Sequence, residues 1–205
     1  MMLAQPVSAG TVTLRVKDIP GDIGKMYDLT TGEPTNGYGD NAPVVKAGYF
    51  DILSMWLSQK GKTYTFGMEL AKELPQAGSA LPSGVKFVSW NIWIDLAPWH
   101  PVLAPSDSLF TIALTYDGSN YAAVLIEGPG MLGNVIESLP FTIDGSIFQL
   151  QFSAASIGNL ASFWWCPVVH AWWGPLGTGG QWWLDTVDSG AVPGQTWWDI
   201  PWPPQ

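Results

Sequence analysis

One cysteine, Cys166, stands in 205 residues, which excludes an internal disulfide framework and any Cys-based zinc or iron–sulfur site. Charge is scarce as well. Asp, Glu, Lys and Arg together make up 12% of the chain, about half of the roughly 25% usual in soluble domains. Cations are the scarcer sign: 8 Lys plus Arg face 17 Asp plus Glu, for a net charge of −9 and a pI near 4.3. Phosphate neutralisation needs clustered Lys and Arg, so nucleic acid is excluded as a partner. The same shortage argues against docking on anionic lipid.

Long apolar runs are missing too. Residues 145–184 contain no Asp, Glu, Lys or Arg, but Asn159, Pro167, His170, Gly174, Pro175 and the glycines from Gly177 to Gly180 interrupt them. No window of about 20 apolar residues survives, so no membrane span is expected. The first ten residues lack the charged start and apolar stretch of a secretory signal. No segment sustains a 3.6-residue period, and Ala154–Leu160 offers one helical turn at most.

What remains is apolar and aromatic. With 47% hydrophobic and 13% aromatic residues, the chain can bury a core, and disorder is excluded. Its periodicity is two. Thr11–Val16 sets Val12, Leu14 and Val16 on one face; Lys62–Lys72 sets Tyr64, Phe66, Met68 and Leu70 opposite Thr63, Thr65 and Glu69. Tyr49–Leu57, Val85–Asp95, Leu109–Tyr116 and Tyr121–Glu127 are rich in β-branched and aromatic residues. Asp117-Gly118-Ser119-Asn120 links two of these runs, and Asp144-Gly145 links Leu139–Ile143 to Ile147–Phe152, as tight hairpins require. The pattern predicts an all-β, antiparallel sandwich of immunoglobulin or jelly-roll type with roughly eight to ten strands.

Three regions are expected. Residues 1–26 form an N-terminal arm with one strand, residues 27–190 the sandwich, and residues 191–205 a Trp- and Pro-rich tail. Nine of the 13 tryptophans fall within residues 164–205, chiefly as Trp164-Trp165, Trp172-Trp173, Trp182-Trp183 and Trp197-Trp198. Neighbours on a strand point to opposite faces, so each doublet should send one ring outward, onto a neighbouring molecule or a ligand. Rings lying flat over their own loops are the plainer alternative.

Catalysis finds little footing. The two histidines, His100 and His170, belong to no HExxH motif, and no nucleophile elbow is present. Cys166, between Trp165 and Pro167, fits a buried inert thiol. The expectation is a protein that is not an enzyme.

Several short motifs in order carry a resemblance. They are Asp28-Leu29-Thr30-Thr31-Gly32-Glu33, Gly48-Tyr49-Phe50-Asp51-Ile52-Leu53-Ser54, Thr63 to Leu70 with Leu74-Pro75, and Trp93-Ile94-Asp95. Leu139 to Gly145 and Trp183-Leu184-Asp185-Thr186-Val187-Asp188-Ser189-Gly190 complete the series. Over residues 26–190 the chain resembles the extracellular β-sandwich domains grouped around DOMON and the family 9 carbohydrate-binding modules. The resemblance implies a non-catalytic module outside the cell or at its surface, whose relatives bind sugar ends, structural calcium or b-type haem. The loop after Asp95, Leu96-Ala97-Pro98-Trp99-His100-Pro101, departs from the acidic, Gly-containing pattern of that group.

Candidate sites follow. Asp28, Glu33, Asp40, Asp51, Asp185 and Asp188 lie at expected strand ends and loops, where two loops meeting could supply the 6–8 oxygens calcium takes. The plainer reading makes them turn caps. Trp56, Trp90, Trp99, Trp172 and Trp182 are candidate sugar platforms, with Asn91, Gln181 and Asp185 as polar partners. The same rings, with Trp197 and Trp198, serve equally as an interface in a homo-oligomer or surface assembly, to which the Thr11–Val16 strand would add at a neighbour's sheet edge. Met68 and His170 are the axial pair of a haem alternative, which ranks below the others because Met68 also fits a core position. Self-assembly ranks first and glycan binding second.

Overall fold

A computed structural model describes residues 11–18, 20–21, 25–27, 34–36, 47–96, 109–128, 133–172, 181–186 and 200–203. Two antiparallel sheets face each other across one apolar core, so the expected β-sandwich is what the chain forms. Strands are numbered along the chain. The first sheet has the order β1 (Val12–Lys17), β4 (Ile52–Lys60), β5 (Thr63–Leu70), β11 (Ile147–Ser153) and β10 (Phe141–Asp144). The second runs β13 (Gln181–Thr186), β12 (Phe163–Trp172), β6 (Phe87–Asp95), β7 (Phe110–Tyr116), β8 (Tyr121–Glu127) and β9 (Asn134–Ser138). β14 (Ile200–Trp202) also pairs with β12, and β2 (Lys25–Tyr27) with β3 (Pro34–Asn36) makes a separate hairpin.

The core is set by alternation. Tyr64, Phe66, Met68 and Leu70 on β5 all face inward, opposite Thr63 and Glu69 on the solvent side. Phe66 packs edge-on against Phe148 of its own sheet at 6.0 Å and Trp165 of the facing sheet at 6.3 Å. Trp90 reaches across to Phe148 at 6.2 Å, and Tyr64 to Phe163 at 5.8 Å. These ring pairs lock the sheets face to face, each adding to the area it buries.

Both Asp-Gly hairpins form where they were expected. In the β7–β8 turn Gly118 takes φ +89°, and Asp117 Oδ1 accepts the N–H groups of Ser119 at 2.8 Å and Asn120 at 2.7 Å. Those two bonds hold the Asp117 carboxyl below the usual range. Gly145 takes φ +61° between β10 and β11. The helical turn expected over Ala154–Leu160 is a 3₁₀ turn at Ala155–Ile157.

The ends of the chain differ from expectation. The N-terminal strand is not a free arm: β1 pairs with β4 along its whole length, from Val12 opposite Gln59 to Lys17 opposite Ser54. In the tail, Trp202 is 2% exposed and stacks on Phe163 at 6.3 Å, closing the core beside Tyr64. Both pairings join segments far apart in sequence, which local patterns cannot report. The strand count also exceeds ten, because β9, β13 and β14 join the sheets without a clear apolar alternation.

Pro167 sits inside β12, a position normally hostile to proline. On one side β12 pairs with β14 through Phe163–Trp165 and with β13 from Val168 onward. Pro167 falls in the interval between the two, where no ladder bond is called for on that side.

Candidate functional site

Three places carry more than fold. The first is the outer face of the first sheet. Arg15 of β1, Trp56 of β4 and Gly67 of β5 stand side by side in one cross-strand row. A Cβ on Gly67 would lie 2.1 Å from the Trp56 ring, so glycine is what lets the indole lie down on the sheet. The Arg15 guanidinium covers that indole at 4.9 Å from its centre. Arg15 also donates to Ser54 Oγ and Glu69 Oε2, each at 2.7 Å, and Ser54 Oγ donates to the same carboxylate at 2.8 Å. The ring is thus held between glycine and arginine.

The second is the outer side of the second sheet. Ser89, Asn91, Trp93 and Asp95 alternate with the inward residues of β6, and all four are buried, as are Thr111 on β7 and Cys166, His170 and Trp172 on β12. The strand row sets His170 opposite Ser89, and its ring lies 5.6 Å from Trp93 and 6.2 Å from Trp172. Asn91 Nδ2 donates to Ser89 Oγ at 3.0 Å. Among the described residues, Asn91 Oδ1 and Trp172 Nε1 are buried with no hydrogen-bond partner. Burial disfavours the imidazolium strongly, which lowers the His170 pKa from 6.5 to about 3. His170 is neutral at any ordinary pH.

The third is the side of the sandwich where the chain crosses from β9 to β10. Five large apolar residues are exposed among those described, and four of them lie here: Val135 60%, Ile136 47%, Phe141 38% and Ile143 36%. Phe141 sits opposite Leu150 and Ile143 opposite Phe148, so both face inward yet are not covered by the second sheet. β9 and β10 are each the last strand of their sheet.

The sequence candidates scatter across this frame. Asp51 is buried and both its carboxylate oxygens accept the Gly21 N–H at 3.0 Å, tying the turn after β1 to the start of β4. Asp185 lies on β13 opposite Val169, and Trp182 opposite Ala171. Asp28, Glu33, Asp40, Asp188, Trp99, Trp197 and Trp198 lie outside the described residues. Among the described residues, no three His, Cys, Asp or Glu side chains gather as a metal site. Trp90 is a core residue whose Nε1–H donates to the Tyr49 carbonyl at 2.8 Å. Trp165 points inward with 0% exposure while Trp164 is half-buried, as the doublet rule requires; Trp172 points outward but is covered.

The haem pair is separated. Met68 faces the interior between the sheets, whereas His170 faces out from the far side of the second sheet. Alternation puts a whole sheet between them, so they do not form one axial pair. Sequence reasoning passed over the apolar edge at Val135, Ile136, Phe141 and Ile143, although adjacent Val135-Ile136 in a polar setting was a visible signal.

The fold and these sites define an all-β sandwich with an apolar open side, and no described helix is long and apolar enough to cross a membrane. No protein-family profile matches the chain, and no curated protein or solved structure does either.

Proposed function

We propose that this chain is a non-catalytic structural module, of the extracellular or surface-bound kind that its resemblance to DOMON and family 9 modules implies, and that it associates with copies of itself. The observation that carries this reading is the open side at β9 and β10. Sheet edges invite pairing, and monomeric proteins usually blunt them with Lys, Pro or a covering segment. Here the two terminal strands instead expose four large apolar side chains, Val135, Ile136, Phe141 and Ile143. The interface moves accordingly, from the tryptophan doublets to this edge.

A glycan platform finds less support. Trp90 and Trp172 are buried, and the Trp56 ring is covered by Arg15 on one face and seated on Gly67 by the other.

Sedimentation velocity over a hundredfold range of protein concentration tests the proposal. The expected result is a shift to larger species as concentration rises. A single monomeric boundary throughout would remove it.

A further inference from the structure

Resting on the self-association reading, we infer that copies join head to tail, β10 of one molecule lying beside β1 of the next, so that the five-stranded sheet continues from copy to copy. β1 and β10 are the two edges of one sheet, and among the described residues no strand lies beyond either. Four antiparallel steps separate them, through β4, β5 and β11, so they run in the same direction. A copy added by translation therefore presents β1 parallel to β10.

The side chains match in that arrangement. On β1, Leu14 and Val16 lie on the core side, opposite Leu57 and Met55, while Arg15 and Lys17 are exposed on the outer side. On β10, Phe141 and Ile143 lie on the core side, with Thr142 and Asp144 outward and exposed. One parallel register satisfies every position at once. Leu14 comes beside Phe141 and Val16 beside Ile143, covering these two of the four exposed apolar side chains. Arg15 comes beside Thr142, and Lys17 beside Asp144.

The alternatives match less well. β1 against β1 sets the cations Arg15 and Lys17 near one another, and β10 against β10 brings no cation to Asp144. A contact between unlike edges does not close on itself, so it makes open chains rather than dimers.

The test uses two single variants of the full chain, checked for an unchanged melting temperature. Lys17→Glu spoils the β1 edge and leaves β10 intact; Asp144→Lys does the reverse. Asp144→Asn is the milder companion, because Asn-Gly keeps the turn into β11. Each variant alone should lose every species larger than the monomer, with Asp144→Asn shifting the concentration needed at least several-fold. An equimolar mixture of K17E and D144K should recover long assemblies of alternating copies, since the β10 edge of each variant meets the opposite charge on the β1 edge of the other. The double variant K17E/D144K should recover long assemblies through the reversed pair. If K17E assembles as the unaltered protein does, or if the mixture is no larger than its parts, the head-to-tail contact is wrong while self-association stands. An unaltered protein that stays monomeric overturns both.

Discussion

Replacing Phe66 by alanine should cost about 3–5 kcal/mol of folding stability, the range for emptying an aromatic from a closed core. The residue is fully buried at the centre of β5 and touches rings of both sheets, Phe148 and Trp165. Its loss leaves a void that neither sheet can close without breaking register with its neighbours. In a chain of this size the melting temperature should fall by on the order of 10 °C. A cost below about 1 kcal/mol would mean that the two sheets do not meet at this point.

Acid should unfold the protein through His170. Its pKa is about 3 in the fold, against 6.5 in the unfolded chain, because burial excludes the charged form. The sign follows from proton binding: below pH 6.5 the unfolded chain takes up a proton that the native state refuses. The native advantage is complete above 6.5, and declines by about 1.4 kcal/mol for each pH unit from there towards 3. Between pH 6.5 and 4.5 the loss is about 2 kcal/mol. Carboxylates add their own acid dependence, so the informative quantity is the difference between the unaltered protein and His170→Gln in urea unfolding at each pH. That difference should depend on pH with the stated slope. Parallel stability curves for the two proteins would show that His170 is not excluded from water.

Much of the sandwich was legible because half-buried strands alternate. Tyr64, Phe66, Met68 and Leu70 announced both the strand and its inward face, and Asp117-Gly118 and Asp144-Gly145 announced their turns. The same rule fails where a strand is buried on both sides. From Phe87 to Asp95 the polar Ser89, Asn91 and Asp95 mark a face that is buried all the same. From Phe163 to Trp172 nearly every residue is covered and most are apolar, so the sequence offers little contrast between the faces. His170 therefore read as a neighbour for Met68, when a sheet stands between them. Long-range pairing was equally invisible: Pro20-Gly21 looked like the end of an arm, yet β1 belongs to the first sheet and Asp51 holds the turn in place. The tryptophan doublets predicted direction correctly at Trp164-Trp165, but direction is not exposure. Trp172 points outward and is still covered. The apolar edge went unread for the converse reason, since Phe141 and Ile143 carry a core pattern at a place the second sheet does not reach.

Hydrogen exchange tests the central claim most directly. Backbone amides of β10 and β1 are compared in dilute and concentrated samples of the unaltered protein, with the interior strand β5 as the internal standard. Self-association through these edges predicts that protection of Phe141–Asp144 and Val12–Lys17 rises together with concentration while Thr63–Leu70 stays constant. Exchange at both edges that is indifferent to concentration, in a sample whose particles do or do not grow, would contradict the account.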